Sequence, residues 1–133
     1  MHDKVFADSN VLLYLLSGND SKAETVESLL RNSLTISVQV LNEIVSVARR
    51  KYQLSWPTVN EFVLTIKALC DVVPLTEQIH DTARFYAERY TLSFYDACIV
   101  AAAIEAHSNV LLSEDMHVGL VIDKRLRIVN PFA

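Results

Sequence analysis

Glycine and proline are nearly missing from this chain, which holds two of the first and three of the second in 133 residues. A sandwich or barrel of many short strands needs turn residues at close intervals, so that architecture is excluded and helices are expected to dominate. Cysteine is as scarce. Cys70 and Cys98 form no CxxC pair and no His/Cys zinc spacing, and both fall in segments that read as helical and apolar. They are expected as buried free thiols, not as a disulfide framework or a zinc site. No run approaches the roughly 18 apolar residues of a membrane span. No charged-then-apolar leader opens the chain either, because Asp8 interrupts the first apolar stretch, so a soluble cytoplasmic protein is expected. A basic excess is missing too. The net charge of −4 excludes broad, passive attraction to nucleic acid, so any such contact has to be local. Two clusters offer one, Arg49-Arg50-Lys51 and Lys124-Arg125-Arg127; the bland alternative for both is solvated surface.

What is present is apolar residue at helical spacing, 51% of the chain being hydrophobic. That length and content suit one well-packed core and a single domain over residues 1–133. Val5-Phe6-Ala7 reads as a first strand, followed by a polar turn and a helix carrying Val11, Leu12, Leu15 and Leu16. Gly18-Asn19-Asp20 stops that helix, and a second follows from Ser21. Thr35-Ile36-Ser37-Val38 is a second strand, and a helix from Gln39 to Tyr52 comes after it. Ser55 with Pro57 opens a fourth helix, and Val72-Val73 before Pro74 gives a third strand at an edge or turn. Thr76 and Ser93 open two more helices, the last apolar almost all round over Ala97–Ala106 and therefore central. Val110-Leu111-Leu112 and Arg127-Ile128-Val129 complete about five strands, and residues 116–125 carry no clear pattern. Strands alternating with helices predict an α/β fold with a short, mainly parallel sheet flanked by helices.

Four acids stand where apolar segments should not tolerate charge: Asp8, Glu43, Asp96 and Asp115. In a parallel sheet, ligands bind beyond the carboxyl ends of the strands. Asp8 ends the first strand, Asp115 follows the fourth, and Asp96 lies in the first turn of a helix that begins at the same rim. Each has an ordinary alternative. Asp8 or Ser9 could cap a helix, Ser93 with Asp96 could be a capping box, and Asp115 could be a solvated turn residue, as its neighbour Glu114 is expected to be. Glu43, flanked on its stripe by Val40 and Val47, could pair with a buried arginine. Together the four predict one anionic pocket whose desolvation a hard divalent cation, Mg²⁺ or Mn²⁺, would offset. At least one carboxyl should then have a raised pKa.

The pieces Val5-Phe6-Ala7-Asp8-Ser9-Asn10-Val11-Leu12, Val40-Leu41-Asn42-Glu43-Ile44, Ser93-Phe94-Tyr95-Asp96-Ala97-Cys98-Ile99-Val100-Ala101-Ala102-Ala103 and Leu111-Leu112-Ser113-Glu114-Asp115-Met116 carry a resemblance. Over essentially its whole length the chain resembles PIN-domain ribonucleases, particularly the VapC-type toxins of bacterial toxin–antitoxin pairs. The resemblance implies a PIN-like three-layer sandwich and assigns Asp8, Glu43, Asp96 and Asp115 as metal-binding, catalytic acids. Ser9 and Ser113 stand where threonine is frequent and keep the hydroxyl, and with Asn10 they are expected to orient ligands or water.

The implied activity is Mg²⁺- or Mn²⁺-dependent endoribonuclease action with one or two ions, hydrolysing RNA to a 5′-phosphate and a 3′-hydroxyl. The implied partners are a small antitoxin whose tail covers the acidic pocket and a second toxin copy in a homodimer. Arg49, Arg50 and Lys51 are candidate RNA contacts. The histidines His2, His80, His107 and His117 show no pairing, which weighs against metal-free acid–base cleavage, although His117 follows the last acidic motif closely. Two alternatives compete: phosphoryl transfer through an aspartyl intermediate on Asp8, which fits poorly because Asn10 stands where a second Asp is wanted, and a stand-alone or catalytically weak binding module.

Overall fold

The computed structural model describes residues 3–133, so His2 lies outside the described residues. Strands and helices alternate along them: β1 (Val5–Ala7), α1 (Ser9–Leu13) extended by a 3-10 turn (Tyr14–Leu16), α2 (Asp20–Leu30), β2 (Leu34–Ser37), α3 (Val38–Arg50), α4 (Trp56–Leu69), β3 (Cys70–Val73), α5 (Glu77–Tyr90), α6 (Phe94–Glu105), β4 (Val110–Leu112), β5 (Val121–Ile122) and β6 (Leu126–Val129). The strands form one sheet in the order β3-β2-β1-β4-β6-β5. Every neighbouring pair is parallel except β5 with β6. This is the expected α/β arrangement of a short, mainly parallel sheet flanked by helices.

Each helix begins where a short polar side chain satisfies a free first-turn N–H. Asp8, Asn19, Ser37, Ser55, Thr76 and Ser93 all accept such a bond. Ser37 corrects one expected boundary: its hydroxyl accepts from the Val40 N–H at 3.3 Å, so Val38 starts α3 instead of ending β2. Cys70 is also displaced from expectation. It opens β3 rather than lying in a helix, with extended backbone at φ −127°, although its N–H still donates to the Ile66 carbonyl. Both cysteines are buried and free, and burial, aided by Asp71, pushes the Cys70 thiol up to about 11.

The sixth strand, β5, was not predicted. It folds back on β6 through a turn in which Asp123 and Lys124 both have positive φ, 52° and 58°. Consecutive left-handed residues make the primed turn that matches strand twist, a position usually given to Asn-Gly or Asp-Gly. Here the tip is fixed from outside: the Tyr86 hydroxyl donates to the Asp123 carboxylate at 2.6 Å, and the Asp123 N–H donates to the Tyr90 hydroxyl at 3.0 Å.

The core lies around α6, where Ala97 through Ile104 are all buried. Its alanines let α5 approach closely. Phe6 and Leu111 on the central strands, Ile36 on β2 and Ile128 on β6 are likewise inaccessible. Truncation there removes apolar contacts and leaves a cavity that the sheet cannot close. Leu111→Ala is therefore expected to cost about 2–5 kcal/mol, measured as a lower urea midpoint with an unchanged slope.

Candidate active site

The sheet order places the site. The chain steps outward from β1 to β2 to β3 and then returns to lay β4 against the other side of β1, so the crevice opens beyond the carboxyl ends of β1 and β4. Register then fixes which residues meet. Ala7 pairs with Leu112, and the next residues, Asp8 and Ser113, leave the sheet side by side. The Asp8 N–H donates to the Leu112 carbonyl at 2.9 Å. Ser113 Oγ donates to Asp8 Oδ2 at 2.8 Å, and the Ser9 N–H donates to Oδ1 at 2.7 Å. Asn10 Nδ2 reaches both Asp8 Oδ2 and Ser113 Oγ at 3.3 Å. The three residues expected to support the acids thus all hold Asp8.

Glu43 enters from α3 and, among the described residues, has no arginine partner. Its two oxygens accept from Ser9 Oγ at 2.6 Å and from Gln39 Nε2 at 3.2 Å. Asp96 sits half-buried in the first turn of α6, where the Ser93 hydroxyl accepts from its N–H at 3.3 Å. Asp115 is exposed on the loop after β4. Among the described residues the ion pairs are Lys22–Glu114 and Arg84–Asp81, so no cationic side chain neutralises any of the four acids.

Their charges interact all the same. Burial, with smaller contributions from Glu43 and Asp96, pushes the Asp8 carboxyl up to about 7 against the hydrogen bonds from Ser113 and Ser9. Burial and then Asp115 raise the Asp96 carboxyl, with Ser93 opposing. Asp8 thus lies within reach of the charges of Glu43 and Asp96, and Asp96 within reach of that of Asp115. Two adjoining hollows give the site its shape. One of about 570 Å³ is lined by Ser9, Gln39, Glu43, Arg50 and Tyr95 among others, and a second of about 420 Å³ by Ser9, Asn10, Arg50, Lys51, Glu114 and Asp115 among others. Glu43 and Asp115 therefore face neighbouring parts of one cleft that share Ser9, Val47 and Arg50.

An all-oxygen donor set of unpaired carboxylates, one of them buried, has the chemistry a hard divalent ion requires. Among the described residues, however, no three His, Cys, Asp or Glu side chains are already gathered at metal-holding spacing. Glu43 is turned toward Ser9 and Gln39, and Asp115 stands out toward solvent.

Neighbouring residues take different roles. Arg49 is occupied, donating to the Leu54 carbonyl at 2.8 Å and stacking 4.7 Å from the Trp56 ring centroid, whereas Arg50 and Lys51 line the cleft. Lys124 and Arg125 line a separate hollow with His107 and Asn109, beyond the amino end of β4 and away from Asp8. His117 is exposed. Glu114, expected as a solvated turn residue, is instead held by Lys22 Nζ at 2.6 Å and by the Tyr14 hydroxyl, while its N–H donates to Asn10 Oδ1 at 3.2 Å. Nothing local in the sequence marks this latch, and neither Gln39 nor Tyr95 stands among the predicted site residues. Gln39 was findable, since it stands one helical turn before Glu43.

Two outcomes follow from these contacts. The Asp8 carboxyl titrates near 7 when folded and near its ordinary 3.8 when unfolded. Folding therefore takes up a proton between those values, and above about 7 the native state carries a buried charge. The metal-free protein should lose stability, by on the order of a few kcal/mol, as pH rises from about 4 to about 7. Urea unfolding in EDTA at pH 5 and pH 8 checks this, and Asp8→Asn should flatten the profile; a wild-type profile already flat contradicts it. Lys22→Met should leave the melting temperature nearly unchanged but speed amide exchange across residues 113–118, because it frees Glu114.

Comparison with known proteins gives the context of this geometry. The profile of the PIN domain family matches residues 5–118. No curated protein matches the sequence. Among solved structures, a toxin–antitoxin complex from Klebsiella pneumoniae aligns with TM-score 0.72 at 19% identity, covering 96% of this chain and 98% of the other. Mycobacterium tuberculosis VapC20, a sarcin–ricin loop cleaving toxin, aligns at 0.70 and 18% identity over 85% and 91%. DNA-bound VapBC from Salmonella typhimurium aligns at 0.69 and 17% identity over 98% and 99%. At such identities the likeness is one of fold. The family match spans most of the length, with Asp8, Glu43, Asp96 and Asp115 all inside it, and the chain belongs to the PIN domain family.

Proposed function

We propose that this protein is a divalent-metal-dependent endoribonuclease hydrolysing RNA phosphodiester bonds, and that it serves as the toxin of a VapBC-like toxin–antitoxin pair. One observation carries the reading: a carboxyl, Asp8, is buried at the sheet's switch point among neutral donors, with Glu43 and Asp96 close enough to raise its pKa and, among the described residues, no cation paired to it. A fold tolerates such a group when a ligand compensates it. The similar solved structures support the toxin half, since they include a toxin–antitoxin complex and a sarcin–ricin loop cleaving toxin.

Asp8, Glu43, Asp96 and Asp115 would hold Mg²⁺ or Mn²⁺, one ion or two. When bound, the metal supplies a water of lowered pKa and charge neutralisation at the departing oxygen. The chain's own residues prepare for that. Ser113, Asn10 and the Ser9 amide fix the Asp8 carboxylate, and the Ser9 hydroxyl bridges toward Glu43, so the two acids are oriented through one residue. Loading requires Asp8 to lose its proton, so affinity should weaken as pH falls below about 7. The reading includes a small antitoxin with a basic tail, which an acidic cleft and a net charge of −4 would attract, and a homodimer. Among the described residues no helix is long and apolar enough to cross a membrane.

The engagement of Glu43 with Ser9 and Gln39 favours a second reading, a catalytically weak PIN-fold binding module. One experiment separates them: purified protein with a mixed RNA pool in Mg²⁺, in EDTA, and as Asp96→Asn. Even outer contacts of a metal site typically cost 10–100-fold when removed, so EDTA and the variant should each lower cleavage about a hundredfold or more with the circular dichroism unchanged. Equal cleavage in all three would sink the nuclease reading. A companion measurement is thermal unfolding at pH 8, where Mn²⁺ should raise the midpoint of the wild type and leave Asp8→Asn nearly unmoved.

A further inference from the structure

Two residues that line the cleft beside the carboxylates have no role in holding them. Tyr95 is the first. It is 64% exposed, precedes Asp96 in the first turn of α6, and lines the same hollow as Ser9, Glu43 and Arg50. Its nearest aromatic neighbour is Phe94, at 6.0 Å between ring centroids. Leaving a large ring in water beside an acid of the site forgoes the stabilisation that burial would give, so packing does not explain it.

Arg50 is the second. It ends α3, is exposed, and lines both hollows. Among the described residues it makes no ion pair, although Glu43 and Asp115 line those same two hollows. Arg49, one position earlier, is committed to Leu54 and Trp56. The hollow that holds Glu43 thus offers the exposed Tyr95 ring and, among the described residues, an Arg50 guanidinium without an ion pair.

We infer that Tyr95 and Arg50 form a nucleotide subsite next to the cleavage position, with a base stacked on the Tyr95 ring and a flanking backbone phosphate on the Arg50 guanidinium. This rests on the nuclease reading and specifies its substrate contacts. Aromatic rings hold bases by their π-faces without regard to sequence, and guanidinium matches phosphate geometry. A base inside a duplex is stacked on both faces and cannot use the ring, so the subsite takes an unpaired nucleotide. Tyr95 acts through its ring rather than its hydroxyl, and Arg50 supplies the local attraction that an acidic chain otherwise lacks.

The test is binding of a single-stranded RNA 12-mer carrying 2-aminopurine, with Ca²⁺ replacing Mg²⁺ to hold cleavage off. Wild type and Tyr95→Phe should quench the 2-aminopurine fluorescence alike. Tyr95→Ala should lose the quench and bind about tenfold more weakly, within the usual range for one lost base stack. Arg50→Gln should also bind about tenfold more weakly, with a salt dependence reduced by about 0.7 in log–log slope, one phosphate contact on a single strand; Arg50→Lys should recover part of it. The same 12-mer annealed to its complement should bind at least about tenfold more weakly than the single strand. Equal binding and quenching by Tyr95→Ala, duplex binding as tight as single-strand binding, or no binding at all overturns the subsite. Cleavage in Mg²⁺ is scored separately. Binding as expected without any cleavage removes the nuclease reading and leaves the subsite, whereas cleavage unaffected by both variants removes the subsite alone.

Discussion

The burial of the Asp8 carboxyl is the constraint on which the rest of the site depends. Neutral groups donate to it, chiefly the Ser9 amide, the Ser113 hydroxyl and the Asn10 side chain. Net contributions of such bonds are about 1 kcal/mol each, while the effective cost of withdrawing a carboxylate from water is several kcal/mol. Desolvation therefore wins, and the group sits near neutrality instead of in the usual carboxylate range. The sheet makes this arrangement hard to escape. Ser113 can reach Asp8 only because Ala7 pairs with Leu112, and a slip of one residue would turn the hydroxyl to the opposite face. The pairing that builds the core and the pairing that builds the site are the same hydrogen bonds.

The same economy sorts charges that are adjacent in sequence. Glu114 and Asp115 follow one another, yet Glu114 is matched by Lys22 and Tyr14, which leaves Asp115 as the acid that interacts with Asp96. Lys22 also lies over the Tyr14 and Phe132 rings, at 4.5 and 5.1 Å from their centroids, so the latch ties α2 and the C-terminal segment to the loop carrying Asp115. Arg49 and Arg50 divide likewise, because successive residues on a helix point about 100° apart. One packs on Trp56 and the other faces the cleft. A run of like residues is therefore a poor unit of function; each member has to be placed separately.

Where the signal was local, the sequence could be read. Ser55, Thr76 and Ser93 cap the helices they were expected to open, and the apolar run after Asp96 is the buried centre of the fold. The acids were legible for a related reason: each interrupts an apolar pattern, and an interruption needs a cause. The failures have physical origins. Cys70 continues the helical spacing of α4 through Ile66, and its N–H does complete the last helical bond, but its backbone has already turned to strand. The β5–β6 turn has no glycine to announce it, because Tyr86 and Tyr90 hold Asp123 from α5, thirty-seven and thirty-three residues away in sequence. The Glu114 latch spans ninety-two residues to Lys22, and no window along the chain contains it.

An acidic protein that binds RNA has to solve a problem of sign, and the cleft shows how the nuclease reading would do so. Unloaded, the four carboxylates and the net charge of −4 repel a phosphate backbone, and Arg50 and Lys51 are the cations lining the cleft. A bound divalent ion would reverse the field where the scissile phosphate lies and leave the remote surface as it was. Loading and substrate affinity would then be coupled: an ion that offsets the Asp8 desolvation also admits the RNA, and an empty cleft discriminates against it. The same field suits a basic peptide in the absence of metal. Substrate and inhibitor would then compete for one electrostatic vacancy, the first arriving with the ion and the second in place of it.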